Sequence, residues 1–369
     1  MKQIKTWLKE SIYTAPLSPG CKMCADGSKM VVFITGLCPS KCFYCPLSKE
    51  KLGKDKIFAD EWELKNESDT DKLIFEAKFI DATGAGITGG DPLIVWRRTK
   101  KYIALLKEKF GADFHIHLYT GGIKNSEHIF DLVKTGLDEI RFHPMPNYWK
   151  KMSSGPIKKP INIAIDSGID VAIEIPSIPK KEKQILSLIN WGDQKQINWI
   201  NLNELEFSET NADALTKKNL TVKNDISAAV KGSQETAYKV IEHALKENLN
   251  IGIHYCSSSF KDGIQLRKRI MRRAKNIAKK TDIITDDGTL LKGVIYTDNK
   301  PLKNIANLLI NNFKLENNDL YIDKEKDRIE LGIWNLEKIA KDLKKYKLKC
   351  YIIEEYPTAD RLEVERTTI

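Results

Sequence analysis

The sequence lacks long apolar runs. No stretch of its 369 residues approaches the roughly 18 consecutive apolar residues of a membrane-spanning helix. The N-terminal segment lacks the apolar core of a signal peptide, and there are no internal repeats and no low-complexity segments. These absences exclude a membrane-embedded chain and favour a globular protein, which we expect to be cytoplasmic.

The sequence also has no excess of acidic residues. The 60 Lys and Arg residues outnumber the 50 Asp and Glu residues, which gives a formal net charge of +10. A basic protein can bind an acidic partner such as nucleic acid or a phosphorylated substrate. A generally Lys-rich composition also explains the charge, and composition alone favours that explanation. At roughly 150 residues per domain, the length predicts two domains, or one barrel with an appendage.

The cysteines do not form the even set of a disulfide-stabilised secreted protein. Clustered thiols in a reducing compartment more often bind metal than form disulfides. Five of the seven fall between positions 21 and 45. The seven are Cys21, Cys24, Cys38, Cys42, Cys45, Cys256 and Cys350.

Short apolar runs alternate with amphipathic helical segments between residues 30 and 256. This alternation predicts right-handed crossovers, a parallel sheet, and an α/β barrel that is full or partial. In such barrels the chemistry lies where strands end and loops begin. The runs predicted as strands are 30–35, 84–88, 114–119, 138–143, 170–175, 199–207 and 251–256.

The C-terminal part has a different order of elements. Strand 293–297, helix 301–313, strands 320–323 and 328–333, helix 335–346 and strand 349–354 give the β-α-β-β-α-β order of a ferredoxin-like α+β domain. We therefore predict an N-terminal extension over 1–28, a barrel with a basic helix over 29–283, and a ferredoxin-like domain over 290–369.

The most informative motif is GLCPSKCFYCPLS, directly after the first predicted strand. It places Cys38, Cys42 and Cys45 at C-x3-C-x2-C spacing in a loop. Three thiolates on one loop can hold three irons of a 4Fe–4S cube and leave the fourth iron open. A zinc site would require a fourth ligand nearby.

Together with a second motif, this loop resembles the radical SAM superfamily. Tyr44 precedes the last cysteine, and Thr88-Gly89-Gly90-Asp91-Pro92 follows the second strand and resembles the family's GGE-P motif, with Asp in place of Glu. The likeness covers roughly 25–256 and implies a partial (β/α)6-type barrel. It is greatest to the pyruvate formate-lyase activating enzyme branch and to archaeal uncharacterised iron–sulfur oxidoreductases related to it.

The resemblance implies two cofactors, a 4Fe–4S cluster on the three cysteines and S-adenosylmethionine (SAM). In the family, the reduced cluster cleaves SAM to a 5′-deoxyadenosyl radical that abstracts hydrogen from a substrate. An external one-electron donor, ferredoxin or flavodoxin, is then required. The SAM-binding positions that the resemblance implies are Tyr44, Gly89, Gly90, Asp91, Thr120, Arg141 and Glu174.

Other residues have two interpretations each. Cys21 and Cys24 form a C-x2-C pair that could hold zinc or an auxiliary cluster with Cys256 as third ligand, or could be ordinary thiols. His143, His254 and Cys256 lie near strand C-termini and are candidate catalytic residues. For the two histidines, satisfied core positions are equally plausible.

Three more features of the sequence each allow a structural and a functional interpretation. His115 and His117 share one face of the third strand and are as plausibly structural as functional. The connection 208–233 is polar and long enough for a lid or for disorder. The helix within 257–285 packs six basic residues into nine positions, so it could be a solvated helix or could bind phosphates or the SAM carboxylate. Cys350 is expected in a core.

Three functions compete. The first is a radical SAM enzyme acting on a macromolecule, either tRNA or protein, which the appended domain and the charge motivate. The second is a radical SAM enzyme acting on a small metabolite or cofactor precursor. The third, a zinc- or cluster-bearing RNA-binding module, explains the cysteines but not the glycine motif or the barrel. No known substrate-specific motif distinguishes the first two.

Overall fold

The structure is a computed structural model that describes residues 3–225, 227–298 and 300–369. The chain divides into two compact units. The first comprises Met1–Lys78 and Ala82–Leu266, and the second comprises Phe79–Asp81 and Arg267–Ile369. Across the described residues, no helix has the length and apolar character needed to cross a bilayer.

The first unit is built on an eleven-stranded sheet and a separate hairpin. Its strands are β1 (Lys5–Thr6), β2 (Ile12–Tyr13), β3 (Lys29–Phe33), β4 (Ile57–Ala59), β5 (Trp62–Leu64), β6 (Gly84–Thr88), β7 (His115–Thr120), β8 (Glu139–Phe142), β9 (Asp170–Pro176), β10 (Trp199–Asn203), β11 (Val222–Asn224), β12 (Ser227–Val230) and β13 (Gly252–Cys256). The sheet order is β1-β2-β13-β10-β9-β8-β7-β6-β3-β4-β5, and β11 pairs with β12.

Seven neighbouring strands of this sheet, from β13 to β3, run parallel. They coincide with the seven apolar runs, so the predicted parallel α/β architecture is confirmed. Antiparallel strands flank them, with β2 beside β13 and β4 beside β3.

Helices follow or connect the parallel strands, as short crossovers require. In the third helix, Thr99, Tyr102, Ile103 and Leu106 are buried, which is the i, i+3, i+4, i+7 spacing of one helical face. The helices of this unit are α1 (Pro19–Asp26), α2 (Thr70–Phe79), α3 (Trp96–Phe110), α4 (Ile129–Lys134), α5 (Lys158–Asp166), α6 (Glu182–Gln194), α7 (Ala212–Thr216), α8 (Ser233–Lys246) and α9 (Ser258–Phe260), which continues into a π-helical segment, Lys261–Leu266.

Helix α1 packs against the inner side of the sheet. The Ser18 hydroxyl caps it by accepting from Cys21 N, and Pro19 occupies its first turn. A Cβ at Gly20 would lie 2.6 Å from Arg141 Nη2 on β8 and 2.8 Å from His117 Nδ1 on β7. The Cys21 thiol meanwhile lies 3.9 Å from Asn201 Oδ1 on β10. The sheet therefore curves around α1 as a partial barrel.

The second unit is an antiparallel sheet with helices. Its elements are α10 (Arg267–Ile277), β14 (Ile283–Ile284), β15 (Leu290–Tyr296), α11 (Leu302–Phe313), β16 (Leu320–Asp323), β17 (Arg328–Leu331), α12 (Ile333–Leu343), β18 (Lys349–Glu355) and β19 (Glu363–Thr368). The order β16-β17-β15-β18-β19 contains the ferredoxin-like arrangement and adds β19 at its edge. Cys350 is buried in its apolar core, as expected.

Candidate active site

The cysteine loop follows β3. Its base is closed by two backbone hydrogen bonds, from Gly36 N to Lys54 O at 2.8 Å and from Gly53 N to Gly36 O at 2.9 Å. Cys38 is exposed, while Cys42 and Cys45 are half-buried, and all three thiols are free. Burial raises the pKa of Cys42 to about 11, so iron binding at this loop must displace thiol protons.

The glycine turn after β6 packs directly on the start of this loop. Gly90 N donates to Thr35 O at 2.7 Å, and Asp91 N donates to Leu37 O at 2.8 Å. A Cβ at Gly89 would lie 2.2 Å from Thr35 O, and one at Gly90 would lie 2.3 Å from Leu37 O. Only glycine permits this approach, because any side chain would push the turn away from the cysteine loop.

A cavity of about 790 Å³ opens between these two loops and the sheet. All three loop cysteines line it, together with six of the predicted cofactor or catalytic residues. Its size and mixed lining fit a nucleoside-sized ligand beside a metal cluster. The six residues are Tyr44, Gly89, Gly90, Thr120, His143 and Glu174.

His143 connects the cysteine loop to the barrel wall. Its Nδ1 donates to the Glu174 carbonyl oxygen at 2.7 Å, which leaves Nε2 to accept from the Tyr44 hydroxyl at 2.9 Å. Burial lowers the pKa of His143, so the ring is neutral near pH 7. In this arrangement His143 positions Tyr44 and holds the loop.

Glu174 presents its carboxylate to the cavity from β9. It accepts from Asn203 Nδ2 at 2.9 Å, Asn201 Nδ2 at 3.1 Å and Arg141 Nη1 at 2.9 Å. Burial opposes ionisation, but Arg141 and Asn203 outweigh it and lower the pKa of Glu174. Arg141 is itself buried and does not line the cavity, so it reaches the cavity wall through its hydrogen bond to Glu174.

Asp91 lies beneath the glycine turn and does not line the cavity. Its Oδ1 accepts from Thr120 Oγ1 at 2.6 Å and from Leu93 N, while Oδ2 accepts from Gly121 N at 3.1 Å. Those bonds tie the turn after β6 to the end of β7. Burial raises the pKa of Asp91, and these donors oppose the rise.

Several contacts of the site were not visible in the sequence. Lys261, in the π-helical segment, pairs with Glu206, and both side chains line the cavity. Thr210 Oγ1 donates to Leu47 O at 2.7 Å, and Asn211 Nδ2 donates to Tyr44 O at 3.2 Å. The polar connection after β10 therefore supports the cysteine loop, although more than 160 residues separate the partners.

Four other predicted site residues lie outside the cavity lining: Cys21, Cys24, His254 and Cys256. Cys21 Sγ accepts from Arg141 Nη2 at 3.6 Å. Burial opposes its ionisation, yet Arg141 and His254 lower the pKa of Cys21 to about 7. In the described part of the chain, no three potential metal-binding atoms that include a cysteine sulfur lie within 4.8 Å of one another.

The residues present fit the cofactors that the sequence resemblance implies. Three free thiols line one cavity, and the Gly89-Gly90 turn lines it too, held against the cysteine loop at a distance that a Cβ would not permit. Thiolates are the ligands of 4Fe–4S clusters. Backbone groups of the turn, Thr120 and Glu174 supply polar partners in the same cavity.

Comparisons with known proteins agree with this geometry. The family model described as the radical SAM superfamily matches residues 32–192, and a domain of unknown function, DUF8061, matches 288–369. A protein of Methanocaldococcus jannaschii named "Putative glycyl-radical enzyme activating enzyme" is 40% identical over 375 residues, which cover 99% of this chain and 96% of that protein.

Two less similar proteins match smaller parts of the chain. GTP 3′,8-cyclase of Staphylococcus carnosus is 27% identical over 177 residues, or 44% of this chain and 50% of that protein. The crystal structure of Streptococcus suis SuiB bound to S-adenosylmethionine has a TM-score of 0.44 and 11% identity, over 63% of this chain and 50% of that one. So weak a structural likeness adds nothing to the assignment. The assignment rests on the archaeal relative, which is similar over nearly the whole chain, and on the matching domain model. On this basis the chain belongs to the radical SAM superfamily.

Proposed function

We propose that this protein uses a 4Fe–4S cluster and SAM, the cofactors that its family implies, to abstract hydrogen from a protein substrate. The observation that carries the proposal is that Cys38, Cys42, Cys45 and the Gly89-Gly90 turn line one cavity. When bound, the two cofactors supply one-electron radical chemistry that removes a hydrogen atom from a substrate.

The chain's own residues would bind and orient the cofactors. The three cysteines would hold iron, and the Gly89-Gly90 backbone would approach the amino group of SAM. Glu174, fixed by Arg141 and two asparagines, would accept a hydrogen bond from SAM elsewhere in the cavity. Preorganised groups of this kind orient a reactant without rearranging at the moment of reaction.

Lys261 and Glu206 are proposed to contact the substrate. Both line the cavity beyond the cysteine loop, and their ion pair presents one charge of each sign. Glu206 raises the pKa of Lys261 despite burial, so the lysine remains charged near pH 7. A paired charge can bind polar groups of a substrate without leaving an isolated buried ion.

A protein substrate is favoured over tRNA on two grounds. The full-length relative is named as an enzyme that activates a glycyl-radical enzyme. In addition, arginines of the basic helix α10 already donate to carbonyls of their own unit, Arg267 to Asp286 O and Arg272 to Ile80 O. Arginines that are engaged in this way have fewer donors free for phosphates.

The remaining roles are also proposals. An external ferredoxin or flavodoxin would deliver the electron, and the cytoplasm would be the location. Asp91 and His143 would act as positioning residues, because their partners belong to the cavity wall. His254 and Cys256 remain candidate catalytic residues, although neither lines the cavity. Cys21 and Cys24 remain candidate ligands of a second metal.

The radical chemistry is tested by anaerobic reconstitution with iron and sulfide, followed by dithionite and SAM. We expect about four irons per chain and formation of 5′-deoxyadenosine. Cys38→Ala, Cys42→Ala and Cys45→Ala should each abolish that product, while Cys350→Ala, in the core of the second unit, should not. Normal 5′-deoxyadenosine formation in any of the first three variants would refute the ligand assignment.

The substrate class is tested with an extract of an archaeon that encodes a close relative. The extract is divided into a protein fraction, an RNA fraction and a low-molecular-weight filtrate, and each is added to the reconstituted enzyme. A protein substrate predicts that only the protein fraction stimulates 5′-deoxyadenosine formation, and that protease treatment removes the stimulation. Loss with ribonuclease instead would establish tRNA, and stimulation by the filtrate would establish a small metabolite.

A further inference from the structure

The inner face of the barrel carries a group of buried polar atoms that the proposed chemistry does not use. His115 and His117 share one face of β7, and Glu139 is the cross-strand partner of His117 on β8. One potential ligand atom from each of the three lies within 4.8 Å of the other two. Within the described residues, this is the one group of three that meets this distance.

These atoms lack hydrogen-bond partners. In the described part of the structure, none is present for His115 Nδ1, His115 Nε2, His117 Nδ1 or Glu139 Oε2. His117 and Glu139 are completely buried, and the His115 side chain is 16% exposed. His115 Nε2 and Glu139 Oε2 lie 3.7 Å apart, which is ion-pair range but longer than a hydrogen bond. A buried carboxylate oxygen or imidazole nitrogen without a hydrogen bond is costly, and such groups in native proteins commonly contact an ion or a water molecule.

The surroundings fix these side chains in place. Arg141 Nε donates to Glu139 Oε1 at 2.6 Å, which orients the carboxylate and leaves Oε2 free toward the histidines. The His117 ring lies between two glycines, since a Cβ at Gly20 would approach Nδ1 to 2.8 Å and one at Gly86 would approach Nε2 to 2.7 Å. A preorganised set of ligand atoms of this kind is what a metal site requires.

The charge around the group is balanced. Glu139 and Glu174 are offset by Arg141 and Lys29, and Lys29 Nζ lies 3.4 Å from His117 Nε2 and 3.3 Å from Tyr119 Oη. Because Lys29 can keep Tyr119 as its acceptor, its contact with His117 can be given up. A cation here would be held by direct ligand bonds and not by a surplus of negative charge.

We propose that His115, His117 and Glu139 bind a divalent transition-metal cation, with Zn²⁺ as the expected ion. Two imidazoles and one carboxylate are a ligand set that zinc accepts, and water would complete a tetrahedral shell. The partial exposure of His115 gives a route from solvent. The ion would fasten β7 to β8.

None of the three proposed ligands lines the cysteine cavity, although Lys29 and Gly86, which border the His117 ring, do. His115 and Glu139 are the first residues of β7 and β8, whereas Thr120, which lines the cavity, is the last residue of β7. Five residues of strand span about 16 Å. The proposal therefore does not depend on the proposed function, and the two can fail independently.

The first experiment counts zinc on cluster-loaded protein, in which iron occupies the cysteine loop and blocks adventitious zinc there. The protein is washed with a chelator, dialysed against Zn²⁺ and analysed for zinc and iron. We expect one zinc per chain in addition to the cluster iron. Absence of zinc, which would mean that water satisfies these atoms, overturns the proposal.

Variants identify the ligands. His115→Ala and Glu139→Gln should weaken zinc binding at least about 10-fold, since even loss of a group that supports a ligand costs about 10- to 100-fold. His243→Ala, which removes an exposed imidazole, should bind zinc normally. Zinc binding that survives His115→Ala but is lost in Cys21→Ser/Cys24→Ser would overturn the proposal and assign the metal to the cysteine pair.

A measurement without variants keeps the proposal testable if a buried substitution prevents folding. X-ray absorption at the zinc edge of the wild-type protein reports the ligand atoms directly. We expect nitrogen and oxygen neighbours at about 2.0–2.2 Å with imidazole scattering. A sulfur shell near 2.3 Å would contradict the proposal.

Discussion

At the scale of single residues, Gly89 shows how little space separates the two loops of the site. Its φ of +142° and the 2.2 Å approach of a Cβ to Thr35 O combine strain with a clash against backbone. Gly111 has a φ of +92°, but a Cβ there would meet nothing within 4 Å. Substitution of Gly111 would therefore cost backbone strain alone, whereas substitution of Gly89 would add a steric clash with Thr35 O.

We predict that Gly89→Ala weakens SAM binding at least about 10-fold, which corresponds to about 1.4 kcal/mol. The reason is that the turn must move away from the cysteine loop. Gly111→Ala should lower stability by about 1–3 kcal/mol from backbone strain alone and leave SAM affinity unchanged. Calorimetric titration with SAM measures the affinities, and equal values for wild type and Gly89→Ala would contradict the interpretation.

His143 gives the site a pH dependence. Its pKa is lowered by burial, so the unfolded chain binds the proton more readily than the folded chain. The stability contributed by the neutral ring is present above the ordinary histidine pKa of about 6.5 and is lost as pH falls below it.

We predict that the melting temperature decreases between pH 7 and pH 5.5, and that His143→Gln reduces this decrease. Glutamine can still contact Tyr44 and the Glu174 carbonyl but carries no titrating ring. An identical pH dependence in wild type and His143→Gln would show that His143 does not contribute.

At the scale of elements, the cysteine loop depends on the connection after β10. The Thr210 hydroxyl donates to Leu47 O at 2.7 Å and lies 3.2 Å from Cys45 O. Nothing in the sequence near either segment indicates this contact, because it joins residues more than 160 positions apart. A lid or disorder was expected for this connection; its described residues form helix α7 and the β11–β12 hairpin, and a lid stays a prediction.

We predict that Thr210→Val speeds loss of the cluster under chelator challenge several-fold, because the Leu47 carbonyl of the loop loses its donor. Thr216→Val, six positions further along in α7 and exposed, is the matched control. The decay of cluster absorbance gives the rate. If both variants lost the cluster at the wild-type rate, the loop would not depend on this support.

Local patterns predicted the elements well. Strand–helix alternation gave all seven parallel strands, and the spacing of Cys38, Cys42 and Cys45 indicated the loop that lines the cavity. The glycine turn was also recognised from neighbouring residues alone. Lys261 and Glu206 were not identified as a pair, since a pair formed across 55 positions has no signature in a single sequence.

At the scale of the whole molecule, the second unit has its own stabilising feature, a buried ionic network. Glu330 contacts Arg328, Lys292 and Arg361, and its side chain is fully buried. Burial disfavours its charge, but Lys292 and Lys279 outweigh this and lower the pKa of Glu330. Removing one member of such a network leaves uncompensated buried charges.

We predict that Glu330→Gln destabilises the second unit by about 3–5 kcal/mol. Scanning calorimetry of the full chain, together with limited proteolysis, should show an earlier transition confined to residues after 266. Glu365→Gln, exposed on β19 of the same unit, is the control. A wild-type melting profile for Glu330→Gln would mean that the network adds nothing to stability.

The hydrogen bonds between the glycine turn and the cysteine loop also bear on protein engineering. Thr35 and Leu37 accept from Gly90 and Asp91, so the segment that would bind iron and the segment that would bind SAM share one backbone framework. A designer who transplanted either loop alone into another scaffold would lose the acceptors or the donors of the other. The unit that could be transplanted is therefore the cysteine loop together with the glycine turn. In laboratory evolution, changes in one of these two segments should be tolerated chiefly when the other changes with it.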